Sequence, residues 1–379
     1  MEEQEVKERY IMKRGYYIHF EAKRTPGVAK KINMQIAELQ KSAVMEEIEI
    51  KSLPVSFLRR LSRFLPGGAI DRSYEDALKQ LDHPDFIYVR RATADRHYVN
   101  FFKEIKRRWP SCKIIIEIFT YPYDRDEFRR LLTWPYYFKE VYNRKKLVGI
   151  VDRYVTYSED DEIFGIPTIR TGNGIVVDQV PVPAIRHRKD QSIHLIAVAF
   201  MQKHHGYERL IKGLHAYYEE GNTQKVICHL IGDGPEKEYY RKLTAKFGLE
   251  DAVRFYPTTT GDALDRLYEE GDLAVSAIGV YKDGIDRENS LKTREYMAKG
   301  FPMVTGCRVD GLGSNYPYVC QFPNDATPID IRRVVDFYDA LLAKESREEI
   351  QTAIRNYVKK IADMPVVIKP IVDYIEDDN

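Results

Sequence analysis

Two cations stand where a helix favours anions. The run from Arg287 to Gly306, RENSLKTREYMAKGFPMVTG, reads as a charged approach, a short helix, and a Gly-x-Pro step into an apolar strand. Ser290 is placed to cap the helix, its hydroxyl accepting an orphan N–H of the first turn. Gly300 and Pro302 end it. Leu291, Glu295 and Ala298 share one face at i, i+4, i+7 spacing. Lys292 and Arg294 fall in the first turn, where the macrodipole disfavours each cation by roughly 0.3–1 kcal/mol. Either both side chains splay into water, or an anion binds at the helix N-terminus and the lysine helps to hold it.

The rest of the chain must position that helix. With 379 residues, 44% hydrophobic and 31% charged, it is a soluble-type globular sequence too long for one ordinary core, so two domains are expected. A net charge of +1 excludes a general attraction to nucleic acid. Residues 1–170 carry 32 Lys+Arg against 26 Asp+Glu, and the remainder 27 against 32, so the first half is the one suited to anionic surfaces. Cys112, Cys228, Cys307 and Cys320 are scattered with no C-x-x-C, which reads as reduced core thiols in a cytoplasmic protein. No apolar run is long enough for a transmembrane helix, and the N-terminus MEEQEVKERY has no apolar signal core.

In the first half, 15–20, 44–50, 86–89 and 113–118 read as strands with helices between them. The last of these, KIIIEI, is a nearly continuous apolar run, as for a parallel strand covered on both faces. Glu117 interrupts it near the end that opens onto a ligand crevice. Gly27, in the turn before the first helix, permits close approach by a ligand or simply makes the turn. Val55–Pro66 is basic and amphipathic, with Arg59, Arg60 and Arg63 between apolar residues. It suits an anionic membrane surface or an ordinary core-facing helix. Asp124-Arg125-Asp126 has the form of a D-x-D metal motif. First-turn helix acids, followed by Glu127, explain it better. The extended run 180–188 is the expected domain boundary. Beyond it strands and helices alternate regularly, as in a doubly wound parallel sheet, whose ligands bind past the carboxyl ends of the strands.

Three stretches of the second half carry a resemblance: Gly206–Ile211 (GYERLI), Ile231–Pro235 (IGDGP) and Ser290–Pro302 (SLKTREYMAKGFP). Together they resemble a retaining glycosyltransferase of family 4, with the α/β GT-B fold. That fold is two Rossmann-like doubly wound domains facing across a cleft, with a C-terminal helix crossing back. The resemblance implies an acceptor-binding domain over 1–182 and a nucleotide-sugar domain over 190–350. Helices over 351–379 would pack back on the first domain. EIFTYPYD, from Glu117 to Asp124, resembles segments of bacterial polysaccharide transferases.

Roles follow from the resemblance. Glu295 would bind the donor ribose, Lys292 the diphosphate, and Ser290 and Leu291 would offer backbone N–H groups to phosphate. The family's first motif glutamate lies eight positions before the second. Arg287 stands there, and Glu288 one residue later, so Glu288 or Arg287 would meet the transferred sugar, with Asn289 beside them. Phe200 and His205 occupy the places of the family's usual arginine and lysine, with Lys203 nearby. Gly206, Arg209, Gly232 and Gly234 complete the donor side. Gly27, Arg90, Glu117, Thr120 and Tyr121 form the acceptor side. Lys292 and the helix N-terminus would stabilise the leaving diphosphate, so no metal and no cofactor beyond a UDP- or GDP-sugar is expected. No carboxylate nucleophile pair is evident. The expected partners are a nucleotide sugar, a glycan or lipid-linked sugar acceptor, and an anionic inner membrane face met through 55–66. Two rivals share the fold: a nucleotide-sugar epimerase using His19, His97, Glu117 or Asp124, and a non-catalytic sugar-nucleotide-binding subunit.

Overall fold

The structure is a computed structural model describing residues 12–21, 23, 26–54, 56–57, 70–119, 121–122, 134–186, 188 and 190–377. Thr120, the Asp124–Asp126 triplet and nearly all of the 55–66 segment lie outside the described residues. The chain divides into two compact units, residues 1–172 with 364–379, and residues 173–363.

The first unit is built on one seven-stranded sheet. Its elements run β1 (Lys13–His19), α1 (Pro26–Leu39), β2 (Ala43–Glu49), α2 (Tyr74–Gln80), β3 (Phe86–Arg90), α3 (Arg96–Arg108), β4 (Lys113–Ile118), α4 (Trp134–Arg144), β5 (Arg153–Thr156), β6 (Glu162–Ile163) and β7 (Ile166–Arg170). The spatial order is β2-β1-β3-β4-β5-β7-β6, parallel throughout except for the β6–β7 pair. β3 and β4 are almost wholly buried, as their apolar runs require.

The second unit follows the same logic. Its elements are β8 (Ile193–Val198), α5 (Tyr207–Glu219), β9 (Val226–Ile231), α6 (Lys237–Lys246), β10 (Val253–Tyr256), α7 (Asp262–Tyr268), β11 (Leu273–Val275), β12 (Arg287–Glu288), α8 (Leu291–Ala298), β13 (Met303–Thr305), β14 (Arg308–Val309), β15 (Val319–Gln321), α9 (Ile331–Leu342) and α10 (Arg347–Ala362). Six parallel strands are ordered β10-β9-β8-β11-β13-β15, and β12 pairs with β14 in a separate ribbon. The last helix, α11 (Met364–Glu376), belongs to the first unit. There Lys13 donates to the Ile375 carbonyl at 2.8 Å and Lys113 to that of Tyr374 at 2.9 Å. The two crossings therefore fall at 172/173 and 363/364, and the extended run 180–188 lies inside the second unit.

Each sheet reverses its winding once, between β1 and β3 and between β8 and β11, and a crevice opens beyond the carboxyl ends there. In the second unit the loops after β8 and β11 are laced together. Ile278 N–H donates to the His205 carbonyl at 3.0 Å and Gly279 N–H to that of His204 at 3.1 Å. They cross so closely that a Cβ on Gly206, whose φ is 68°, would lie 2.6 Å from the Gly279 backbone. Gly206→Ala is expected to destabilise the second unit by about 1–3 kcal/mol or more, from left-handed strain and displaced backbone together. Urea denaturation checks this, and an unchanged midpoint would refute the close crossing.

Candidate functional site

Helix α8 is held at the second unit's switch point from both ends. Tyr296, fully buried, accepts the N–H of Val198 at 2.8 Å and ties the helix to the end of β8. At the far end Arg355 donates to the carbonyls of Ala298, Val177 (2.8 Å) and Val180 (3.1 Å). Ser290 caps the near end as expected, accepting the N–H of Thr293 at 3.2 Å. Helix geometry leaves the N–H groups of Leu291 and Lys292 without intrahelical acceptors.

Lys292 decides how this end reads. Its Nζ is buried and has no hydrogen-bond partner among the described residues. Burial lowers the ammonium to about 8, although the Glu288 carboxylate opposes that shift. The lysine does not splay into water. It holds a buried charge with no hydrogen-bonded partner among the described residues, at a helix end with open N–H groups, an arrangement that fits an anion.

His204 and His205 lie within the field of the same ammonium. His205 Nδ1 accepts the N–H of Gln202 at 3.0 Å, so Nε2 carries the hydrogen and is a donor. Burial, Lys292 and His204 push His205 down to about 2, keeping it neutral at working pH. His204, lowered mainly by burial, sits 3.5 Å from Asp283. Lys203 is exposed. Glu295 is half-buried, one turn into the helix, and its carboxylate has no partner among the described residues.

Glu288 is placed differently from the sequence expectation. It is buried, and its carboxylate takes hydroxyl bonds from Thr293 at 3.0 Å, Ser290 at 3.2 Å and Ser276. It braces the first turn of α8 from beneath. Arg287 is also engaged elsewhere, its guanidinium 2.6 Å from Asp310. Asn289 turns the same way. It donates to Asp310 at 2.7 Å, and its Oδ1 accepts from Arg294 at 3.2 Å and from the Asn173 N–H at 3.2 Å. Arg294, the second misplaced cation, is thus buried on the face away from Lys292.

Arg209 is likewise taken up by the fold. Its guanidinium donates to the carbonyls of Thr327 (2.6 Å), Pro323 (2.9 Å) and Ile278, and so staples α5 to the neighbouring loops. Gly232 and Gly234 are glycines for a packing reason. A Cβ on Gly232 would lie 2.0 Å from the Ala199 carbonyl, and one on Gly234 2.5 Å from the Met201 backbone.

The first unit's crevice has a different electrostatic character. Glu117 and Arg90 come together at the ends of β4 and β3, with Arg90 Nη1 3.2 Å from Glu117 Oε2. Two residues of α1 complete the group: Lys31 Nζ stands 3.2 Å from Glu117, and Gln35 donates to it at 2.9 Å. Tyr157 adds a hydroxyl bond. Burial alone would raise the Glu117 carboxyl, but Lys31 and Arg90 hold it down to about 2. A carboxylate so firmly ionised is a poor proton acceptor at neutral pH, which weighs against its use as an epimerase base. His19, ending β1, sits 2.8 Å from Glu47. Gly27 is exposed with open space beside it, and Tyr121 packs edge-on to Phe164. Thr120, the remaining acceptor-side residue, lies outside the described residues.

Lys31, Gln35 and Tyr157 were missed in the sequence. An inward Lys–Gln pair at i, i+4 on an otherwise apolar helix face was the available signal. His204, Ser276 and Thr293 gave none beyond adjacency.

The description "Glycosyl transferases group 1" matches residues 183–312, which span the laced loops and α8. No curated protein matches the chain in sequence. Among solved structures, HepE of Anabaena in complex with UDP is similar at TM-score 0.64 and 11% identity, covering 96% of this chain and 99% of that one. A glycosyltransferase of Rickettsia africae follows at 0.62 and 13%, covering 98% and 100%. The lipopolysaccharide outer core galactosyltransferase WaaB is similar at 0.57 and 15%, covering 96% and 99%.

Lys292→Met separates ligand binding from stability. The folded chain releases this proton near pH 8, whereas the unfolded chain keeps it to about 10.5. The charge therefore costs stability at every pH below 8, and the cost fades as pH rises from 8 to 10.5. The variant is expected to be more stable than the parent by about 0.5–2 kcal/mol at neutral pH. It should bind UDP or GDP at least about tenfold more weakly, as for loss of a charged hydrogen bond. Chemical denaturation and calorimetry read the two quantities; a less stable variant with unchanged nucleotide affinity would refute the anion site. By similarity of structure the fold is GT-B, and residues 183–312 within it match the description "Glycosyl transferases group 1".

Proposed function

We propose that the protein transfers a sugar from a UDP- or GDP-sugar to the hydroxyl of a glycan or lipid-linked sugar acceptor, with retention of configuration. The setting proposed is cell-surface or extracellular polysaccharide or glycoconjugate assembly, carried out in the cytoplasm at the inner membrane face. The observation that carries this reading is the unpartnered Lys292 ammonium beside the open N–H groups of α8. In a sugar transfer the leaving diphosphate gathers negative charge in the transition state, and fixed donors aimed at it lower the barrier. Lys292, the first-turn N–H groups and the Nε2–H of His205 are such donors. Glu295, without a partner among the described residues, is assigned to the ribose hydroxyls. This scheme asks for no metal. Front-face attack with the diphosphate as base fits the lack of an evident carboxylate nucleophile pair. HepE, solved with UDP and with UDP-glucose, and WaaB, a lipopolysaccharide galactosyltransferase, support the substrate class and the setting.

One observation favours a non-catalytic sugar-nucleotide-binding subunit instead. The carboxylate expected at the transferred sugar, Glu288, is occupied by three hydroxyls. Nucleotide release from a panel of UDP- and GDP-sugars, with and without acceptor extract, decides between the two. Acceptor-dependent release that persists in a metal chelator is the expected result. Glu295→Ala should lower it by about tenfold or more, from loss of roughly 1.5–3 kcal/mol of charged hydrogen bonding. Tight nucleotide binding without turnover would establish the binding subunit, and acceptor-independent release with a 2-epimer product would establish an epimerase.

A further inference from the structure

Helix α4 is built inside out. Lys139, Glu140, Asn143 and Arg144 are buried, whereas Phe138 is 57% and Tyr142 65% exposed. The inward polar face is well satisfied. Glu140 accepts the Ala94 N–H and lies 3.4 Å from Arg91 Nη2, fixing the helix to the loop after β3. Asn143 donates to the Lys139 carbonyl at 3.0 Å, and the Arg144 guanidinium lies 3.6 Å over the Phe164 ring. These bonds set the rotation of the helix, so the two outer rings cannot turn inward.

Phe138 and Tyr142, at i and i+4, form one stripe. It continues through exposed Lys145 and Lys146 to Val148, which is 49% exposed. Lys146 Nζ sits 3.9 Å over the Tyr142 ring, joining the aromatic and basic parts. The only acid between residues 134 and 150 is the buried Glu140, so the exposed charges of this segment are all positive.

We propose that this stripe docks on an anionic lipid surface. Phe138, Tyr142 and Val148 enter the headgroup boundary, where amphipathic rings are favoured, and Lys145 and Lys146 meet lipid phosphates. Three half-exposed side chains offer on the order of 300 Å², well short of the roughly 800 Å² per partner of a stable protein interface. A lipid surface requires only a few inserted side chains plus charge. This inference names a docking surface for the membrane setting proposed above, and it stands whether or not the chain transfers a sugar.

The test is sedimentation of the full chain with phosphatidylcholine vesicles, with and without phosphatidylglycerol, at low and high salt. The parent is expected to bind the anionic vesicles only, and less at high salt. The Phe138→Ser, Tyr142→Ser pair should lower partitioning by about tenfold or more. The Lys145→Glu, Lys146→Glu pair should do the same and remove the salt dependence. Circular dichroism confirms that each variant is folded. A parent that stays in solution at low salt, or folded variants that bind like the parent, overturns the proposal. So does a parent dimer that the Phe138, Tyr142 variant dissociates while vesicle binding stays constant; the occupant is then a second copy of the chain.

Discussion

An ammonium held without a partner at the positive end of a helix is unfavourable twice over. Burial removes its water, and the dipole of α8 opposes its charge. The arrangement persists because the surrounding fold fixes every group that could relieve it. Glu288 is the nearest carboxylate felt by Lys292, but its oxygens are held by Ser276, Ser290 and Thr293. Tyr296 and Arg355 prevent the helix from sliding. The charge is therefore left without a hydrogen-bonded partner among the described residues, and the proposed anion site rests on that.

The first unit shows the opposite solution to the same topology. Its crevice also gathers charges at the carboxyl ends of parallel strands, but Glu117 is neutralised on the spot by Lys31 and Arg90. Such a network can be fully satisfied internally, and it fixes α1 against the sheet through Lys31 and Gln35. The two crevices thus differ in that the Glu117 carboxylate has ion-pair partners, whereas the Lys292 ammonium has no hydrogen-bond partner among the described residues.

The sheet strands were legible because parallel strands buried on both faces leave long apolar runs such as 113–118 and 193–199. The cap of α8 and its end at Gly300 were legible because local chemistry dictates them. Arg209, Arg287 and Asn289 have protein partners that the sequence did not reveal, for a shared reason. Sequence shows a polar residue beside a motif but not the partner that consumes it, here the carbonyls around Arg209 and the Asp310 carboxylate. Gly232 and Gly234 illustrate a related limit. The need for glycine was visible, but the backbone that demands it is more than thirty residues away in the chain. The inverted helix α4 escaped because an amphipathic pattern does not state which face points inward.

Phe200 and His205 stand where the resemblance expects an arginine and a lysine, and Lys292 gives a physical reason why both departures are tolerated together. A second ammonium at position 205 would lie in the same buried field and push Lys292 further below 8, until one of the two lost its proton. A neutral His205, with its Nδ1 fixed on Gln202, supplies an N–H donor without that competition. Phe200, 63% exposed, adds no charge at all. On the proposed function, phosphate-binding charge is thus concentrated on one lysine, and each neutral neighbour helps that lysine to stay protonated.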